Sequence, residues 1–199
     1  GGTADDTIKF AGTLTTNDVV DGGAGTDTLT LTAATNAAPL TTEFTNVSNI
    51  ETVAFDAAVV ATEMDVSKLS AGVTTVQVDL KDNDDLGSTT DSLIKNLGSQ
   101  TVVVKRSVAD ATDGGVDDGV KLQITAASDT SADTINVTLD ALGGWTALNY
   151  GLRELDVANY ETVNINAVND SAGAVTTAEV ATSTVTSATS MVVTGDANT

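Results

Sequence analysis

The stretch Gly22-Gly23-Ala24-Gly25-Thr26-Asp27-Thr28-Leu29-Thr30 constrains the fold more than any other part of this 199-residue chain. It satisfies the nine-residue pattern G-G-x-G-x-D-x-U-x at every fixed position, where U is a large apolar residue. Glycine admits left-handed backbone conformations, so a tight turn can aim several carbonyl oxygens inward. Asp27 adds a carboxylate to that cluster, and a hard cation such as calcium takes six to eight oxygens at roughly 2.3–2.6 Å. Leu29 then opens a short strand and turns into the core.

Two more units stand upstream in the same register. Gly1 to Lys9 (GGTADDTIK) keeps Gly1, Gly2, Asp6 and Ile8 in place, with Ala4 where the third glycine belongs. Thr13 to Asp21 (TLTTNDVVD) keeps Asp18 and Val20 but lacks the glycines, and Phe10, Ala11 and Gly12 are inserted between the two. On these residues the segment resembles the RTX (repeat-in-toxin) family of secreted calcium-binding proteins, whose nonapeptides stack into a parallel β-roll. The resemblance implies a coil of two nonapeptides, with turns eighteen residues apart sharing an ion. Allowing for the insertion, Asp27 is then expected to stack over Asp6. Asp18 finds no aspartate partner, and Asn36 falls at the right distance. The implied calcium set is Gly1, Gly2, Asp6, Asp18, Gly22, Gly23, Gly25 and Asp27.

Charge sets the next bound. Eight Lys and Arg against 28 Asp and Glu, with no His, give a formal charge of −20. Nucleic acid is excluded as a partner on this ground, because phosphate contacts need Lys and Arg. The same charge repels itself in the compact state unless cations are bound. Strong acidity is often a mark of disorder, but 41% hydrophobic residues do not fit a disordered chain. Bound divalent metal reconciles the two. Cysteine is absent, so neither disulfides nor thiolate metal sites can form. No apolar run approaches the length of a membrane span, so membrane insertion is not expected. The chain does not open on Met and its motif begins at residue 1, so we expect a piece of a longer polypeptide. Two segments are expected: RTX-like β-roll repeats at 1–32 and a Thr/Ala/Val-rich β-solenoid at 33–199.

Thr and Val are abundant and aromatics make up only 3%, which suits pleated, half-buried strands. Alternation and short apolar runs predict strands at Ile50–Phe55, Val73–Leu80, Thr101–Lys105, Val120–Thr125, Thr134–Leu139, Thr162–Ala167 and Ser190–Val193. Asp91–Gly98 (DSLIKNLG) reads as a helix, with Asp91 as N-cap and Gly98 at the stop. Asn49-Ile50-Glu51-Thr52-Val53-Ala54-Phe55 resembles Asn159-Tyr160-Glu161-Thr162-Val163-Asn164-Ile165, an internal repeat that enters a strand after Asn. Strand centres at Val53, Val76, Val103, Leu122, Val137 and Val163 suit the rungs of an irregular parallel β-solenoid. An antiparallel β-sandwich is the alternative for the same strand spacing. The fold class is all-β either way.

Two acidic loops are further calcium candidates. Asp82, Asp84 and Asp85 lie in one, and Asp113, Asp117 and Asp118 lie beside glycines in the other; a solvated acidic loop explains each equally well. Neither is an EF-hand, since counting from Asp82 puts Leu93 where the closing Glu belongs. Trp145 serves as a loop-packing residue or as a carbohydrate platform. Catalysis has little to work with: without His or Cys the usual nucleophile–base pairs are missing. Nearly every carboxylate is an Asp in a Gly/Ser/Thr loop, with no pair placed to act as acid and base.

Nonapeptides followed by long Thr/Ala/Val-rich β segments look like the surface-layer (S-layer) proteins and large RTX adhesins of Gram-negative bacteria. The resemblance implies a non-enzymatic, extracellular structural protein, exported by a type I route and folded by calcium. Self-association in a surface lattice through calcium is the implied partnership, with cell-surface polysaccharide a second candidate partner. An RTX adhesin, or an ancillary module of a secreted polysaccharide-active enzyme, is the alternative.

Overall fold

The computed structural model describes residues 1–32, 42–56, 63–79, 92–105, 121–140, 151–168 and 179–195. Its strands are β1 (Thr7–Phe10), β2 (Val20–Asp21), β3 (Thr28–Leu31), β4 (Val47–Ser48), β5 (Thr52–Phe55), β6 (Glu63–Asp65), β7 (Thr75–Asp79) and β8 (Ser92–Leu97). They continue with β9 (Thr101–Lys105), β10 (Lys121–Ala126), β11 (Thr134–Asp140), β12 (Gly151–Ala158), β13 (Thr162–Val168), β14 (Glu179–Thr186) and β15 (Ser190–Gly195). Odd-numbered strands follow one another in an eight-stranded sheet from β1 to β15. Even-numbered strands β6 to β14 form a second, five-stranded sheet, and β2 pairs with β4. Every pairing among the described residues is parallel. The chain therefore winds as a parallel β-solenoid, in which strands of the long sheet alternate along the chain with β2 and β4 and then with strands of the five-stranded sheet. The antiparallel alternative is overturned, because hairpin-linked strands would pair with their sequence neighbours.

Register shows what holds the coils together. Thr7, Thr28, Thr52, Thr75 and Thr101 occupy one column of the long sheet. One step on, Ile8, Leu29, Val53, Val76, Val102 and Val137 form an inward column. From Leu29 to Val137 that column is fully buried. Alternation at period 2 sends the β-branched Thr outward and the aliphatic residue inward, which suits strands buried on one face. Burying each such aliphatic side chain contributes about 1.5–3 kcal/mol. The column that starts from Ile135 and Val163 ends at Met191. Met191, Val192 and Val193 on the edge strand β15 are exposed by 46%, 46% and 65%.

Coil length departs from the family's two nonapeptides. Along one corner the spacing is 21 residues from Asp6 to Asp27, 24 from Asp27 to Glu51 and 23 from Glu51 to Thr74. Further on it is 28, from Asp133 to Glu161 and from Glu161 to Thr189. In consequence β2 pairs with Val47–Ser48 rather than with the segment around Asn36, which lies outside the described residues.

One sequence expectation here needs correction. Asp91–Gly98 was expected as a helix, but Ser92–Leu97 is a strand paired on both sides, with β6 and β10. Ile94 and Leu97, three residues apart, suggest helical spacing, yet both are buried here. A register shift opposite Ile124 and Ala126, with Asn96 at φ 59°, lets an odd spacing face the same side. Asn96 also donates from Nδ2 to Asp65 Oδ1 at 2.9 Å. Leu122, expected as the centre of a rung, is one: it is buried in β10 of the second sheet.

The columns predict how truncations will behave. Leu29→Ala, inside the buried column, should cost about 2–5 kcal/mol. Val193→Ala, at the open end, should stay within about 0.5 kcal/mol. Urea unfolding of the two variants beside the parent chain checks the contrast.

Candidate metal centre

Three coils meet at the corner that precedes β1, β3 and β5. Asp6 N–H donates to Asp27 Oδ1 at 2.8 Å, and Thr28 N–H donates to the Asp6 carbonyl at 2.8 Å. Asp27 therefore stacks on Asp6, in the register that the nonapeptide pattern implies. Asp27 N–H in turn donates to Glu51 Oε2 at 2.7 Å, while Glu51 and Thr52 N–H both donate to the Asp27 carbonyl.

The glycines explain why the coils approach so closely. A Cβ at Gly22 would collide with the Asn49 carbonyl oxygen and stand 2.7 Å from Asp27 Oδ2. A Cβ at Gly1 would collide with the Gly22 carbonyl oxygen and stand 2.9 Å from Asp6 Oδ2. Oxygens of Asn49, Asp27, Gly22 and Asp6 thus gather along the two glycines. Gly23 and Gly25 take φ of 95° and 137°, conformations that side chains disfavour. Gly2 completes the turn, its N–H on Asp6 Oδ2 at 2.9 Å and its carbonyl accepting Ala24 N–H at 2.9 Å.

Within this cluster Asp27 is wholly buried, and its Oδ2 has no hydrogen-bond partner among the described residues. A buried, unpaired carboxylate oxygen costs several kcal/mol unless something compensates it. A hard cation among carbonyl oxygens supplies that compensation, and the donor set is the oxygen-only kind that calcium takes. Among the described residues no three acidic side chains converge on one point. An ion here would draw most of its ligands from main-chain carbonyls, which suits a glycine-rich turn.

Of the expected ligand residues, Gly1, Gly2, Asp6, Gly22, Gly23, Gly25 and Asp27 come together at this corner. Asp18 is turned to its own loop, where Oδ2 accepts from Thr15 N–H and Oγ1, each at 2.9 Å. Asp82, Asp84, Asp85, Asp113, Asp117 and Asp118 lie outside the described residues, as does Trp145. Asp5, one position off the pattern, accepts Thr26 N–H at 2.7 Å and ties the same two coils. The sequence reading gave no role to Asn49 and Glu51. Their signal was the repeated Asn-x-Glu-Thr-Val phrase, which the structure explains as a corner turn.

That turn occurs twice. Asn49 and Asn159 both take positive φ, 52° and 66°. Ile50 and Tyr160 are both buried. Glu161 Oε2 accepts Asp133 N–H at 2.8 Å, as Glu51 does for Asp27. Thr130 caps Asp133, donating from N to Oδ2 at 2.8 Å and from Oγ1 to Oδ1 at 2.6 Å. These bonds, the hydroxyl's first, hold the Asp133 carboxyl below the usual range. Hydrogen bonds from the Asn49 side chain, first, and from Gly23 N–H do the same for Asp21. Burial pushes the Tyr160 phenol up to about 12, with the charge of Asp133 adding to it, and its hydroxyl has no partner among the described residues.

Comparison with protein-family models, with curated proteins and with solved structures finds no match to this chain.

Two pH effects follow. Carboxyls held low, at Asp21 and Asp133, contribute stability above their unfolded value of 3.8 that is lost as pH falls below it. For Tyr160 the sign is opposite. The unfolded phenol ionises near 10 and the folded one near 12, so its contribution is intact below pH 10 and lost between 10 and 12. Tyr160→Phe should flatten the difference in that alkaline window and, by removing an unpaired buried hydroxyl, stabilise at neutral pH by about 1 kcal/mol. Denaturant midpoints of both proteins from pH 7 to 12 check both points.

Proposed function

We propose that this chain is a calcium-folded structural segment of a bacterial surface-layer or other secreted surface protein. One observation carries the reading: the buried, unpartnered Asp27 oxygen, stacked in register over Asp6 among glycine-turn carbonyls. Gly1, Gly2, Asp6, Gly22, Gly23, Gly25 and Asp27 are the proposed holders of the ion, the glycines through their backbone. The bound cation supplies the positive charge that the stacked turns lack. The chain's own residues do the rest: glycines let the turns close, Asp6 and Asp27 align, and Leu29 anchors the corner in the core.

The formal charge of −20 supports the same reading, since bound cations relieve self-repulsion. Oxygen ligands in a flexible turn favour calcium, whereas magnesium demands octahedral geometry and keeps its waters. A parallel solenoid presents two long sheet faces, a shape suited to a building element. A sequence without His or Cys suits the same non-enzymatic role. We assign the protein to the cell exterior, where calcium is abundant, and infer that calcium also joins copies of the protein in a lattice. No helix among the described residues is long and apolar enough to cross a membrane.

Calorimetry should find calcium binding to the whole chain, and chelation should speed amide exchange in 1–32 while strands β7 to β13 keep their protection. Absence of binding would overturn the reading. For assembly, light scattering of the protein should rise at millimolar calcium and not at equal magnesium. Monomers at millimolar calcium would overturn the lattice.

A further inference from the structure

We infer that the Asn49-Ile50-Glu51 turn of the third coil, which lies outside every nonapeptide, is part of the cation site. In this assignment the Asn49 carbonyl is a ligand and Glu51 is a positioning residue. The inference rests on the calcium reading above and extends it to residues that the motif does not contain.

The two copies of the turn carry the argument. At both, Asn takes positive φ and the next residue is buried. At both, the Glu carboxylate accepts the N–H of the Asp one coil earlier, at 2.7 Å and 2.8 Å. The main chain matches as well. The carbonyls of Asp27 and Asp133 each accept two successive N–H groups from the next coil, and so do those of Glu51 and Glu161. The turn is thus a structural device in its own right, and what differs between the copies is informative.

The difference lies at the aspartate. Both Asp133 oxygens are occupied by Thr130. Asp27 has Asp6 N–H on Oδ1 and nothing on Oδ2, although it is fully buried. Near that orphan oxygen stands Gly22, and on the same side of Gly22 stands the Asn49 carbonyl. Asn49 is held there at both ends: its Nδ2 donates to Asp21 Oδ1 at 2.8 Å, and Gly22 N–H donates to the neighbouring Ser48 carbonyl at 3.1 Å. At one corner hydroxyl and amide satisfy the aspartate. At the other a carbonyl from the third coil and an open carboxylate oxygen face the same space, which is what a cation requires. Glu51 acts at one remove, holding Asp27 by its N–H as an outer-shell carboxylate holds a ligand. An ion so placed ties the two nonapeptide coils to the third.

The test is calcium calorimetry on the whole chain with paired variants. Glu51→Gln keeps an acceptor for Asp27 N–H but loses the charge, and should weaken binding about tenfold. Glu161→Gln makes the same change at the satisfied corner and should leave affinity unchanged. Asn49→Ala and Asn159→Ala both strain a positive φ, and only the first should lower affinity. Hydrogen exchange gives a readout that survives poor folding of a variant: in the parent chain, calcium should slow exchange at Glu51 and Thr52 as well as in the nonapeptide turns. If Asp27→Asn weakens binding while Glu51→Gln and Asn49→Ala do not, and protection stops at β3, the inference fails and the calcium reading stands. If the parent chain binds no calcium, both fail.

Discussion

Four strands of the long sheet, β5, β7, β13 and β15, are entered through a shared main-chain acceptor. One carbonyl receives two successive N–H groups from the next coil: Asp27 from Glu51 and Thr52, Glu51 from Thr74 and Thr75. The pattern returns at Asp133, from Glu161 and Thr162, and at Glu161, from Thr189 and Ser190. That constraint sets the first residue of these four strands, and their columns of outward and inward side chains follow from it. It also tolerates uneven coils. With the start of a strand pinned at the corner, extra residues accumulate elsewhere in the turn, and spacings of 21 to 28 residues coexist in one ladder. Lengthening a loop costs little chain entropy, so such irregularity is inexpensive.

The corner raises an electrostatic difficulty in a chain with a formal charge of −20. Carboxylates serve as acceptors for main-chain N–H groups at Asp5, Asp6, Asp27, Glu51, Asp133 and Glu161. Charge-assisted bonds of this kind are about twice as strong as neutral ones, which favours acidic residues where coils must lock. Their cost is repulsion and, at Asp27, a buried oxygen without a donor. Exposed corners leave that cost to water. The proposed ion answers it where water is excluded, and on that proposal the amino-terminal corner is where folding and cation supply are coupled.

Even-numbered strands show how little local pattern is needed once a ladder exists. β12 reads GLRELDVA and β14 reads EVATSTVT, neither of which has clean alternation along its length. Both nevertheless pair in parallel register, because the odd strand on the other side of each coil has already set the position of the chain. In a solenoid each coil needs only its neighbours, so a weakly patterned strand is carried by a strongly patterned one.

What the sequence determined by itself was the material of one sheet and of one corner. Val76, Val137 and Val163 alternate with Thr, Gln or Asn, and that period places them inward whatever the topology. The nonapeptide placed Asp27 over Asp6 because only glycine permits the turn between them. The paired phrases at Asn49 and Asn159 marked a repeat whose purpose was not legible, since the partner of each Glu lies 24 or 28 residues away. Tertiary structure alone decided the rest. Ser92–Leu97 became a strand because flanking strands offered it two ladders and Asn96 absorbed the odd spacing. Parallel pairing itself was a tertiary decision: strands that alternate in the same way suit hairpins and coils equally, and only the stacking of complete coils buries one aliphatic column from Leu29 to Val137.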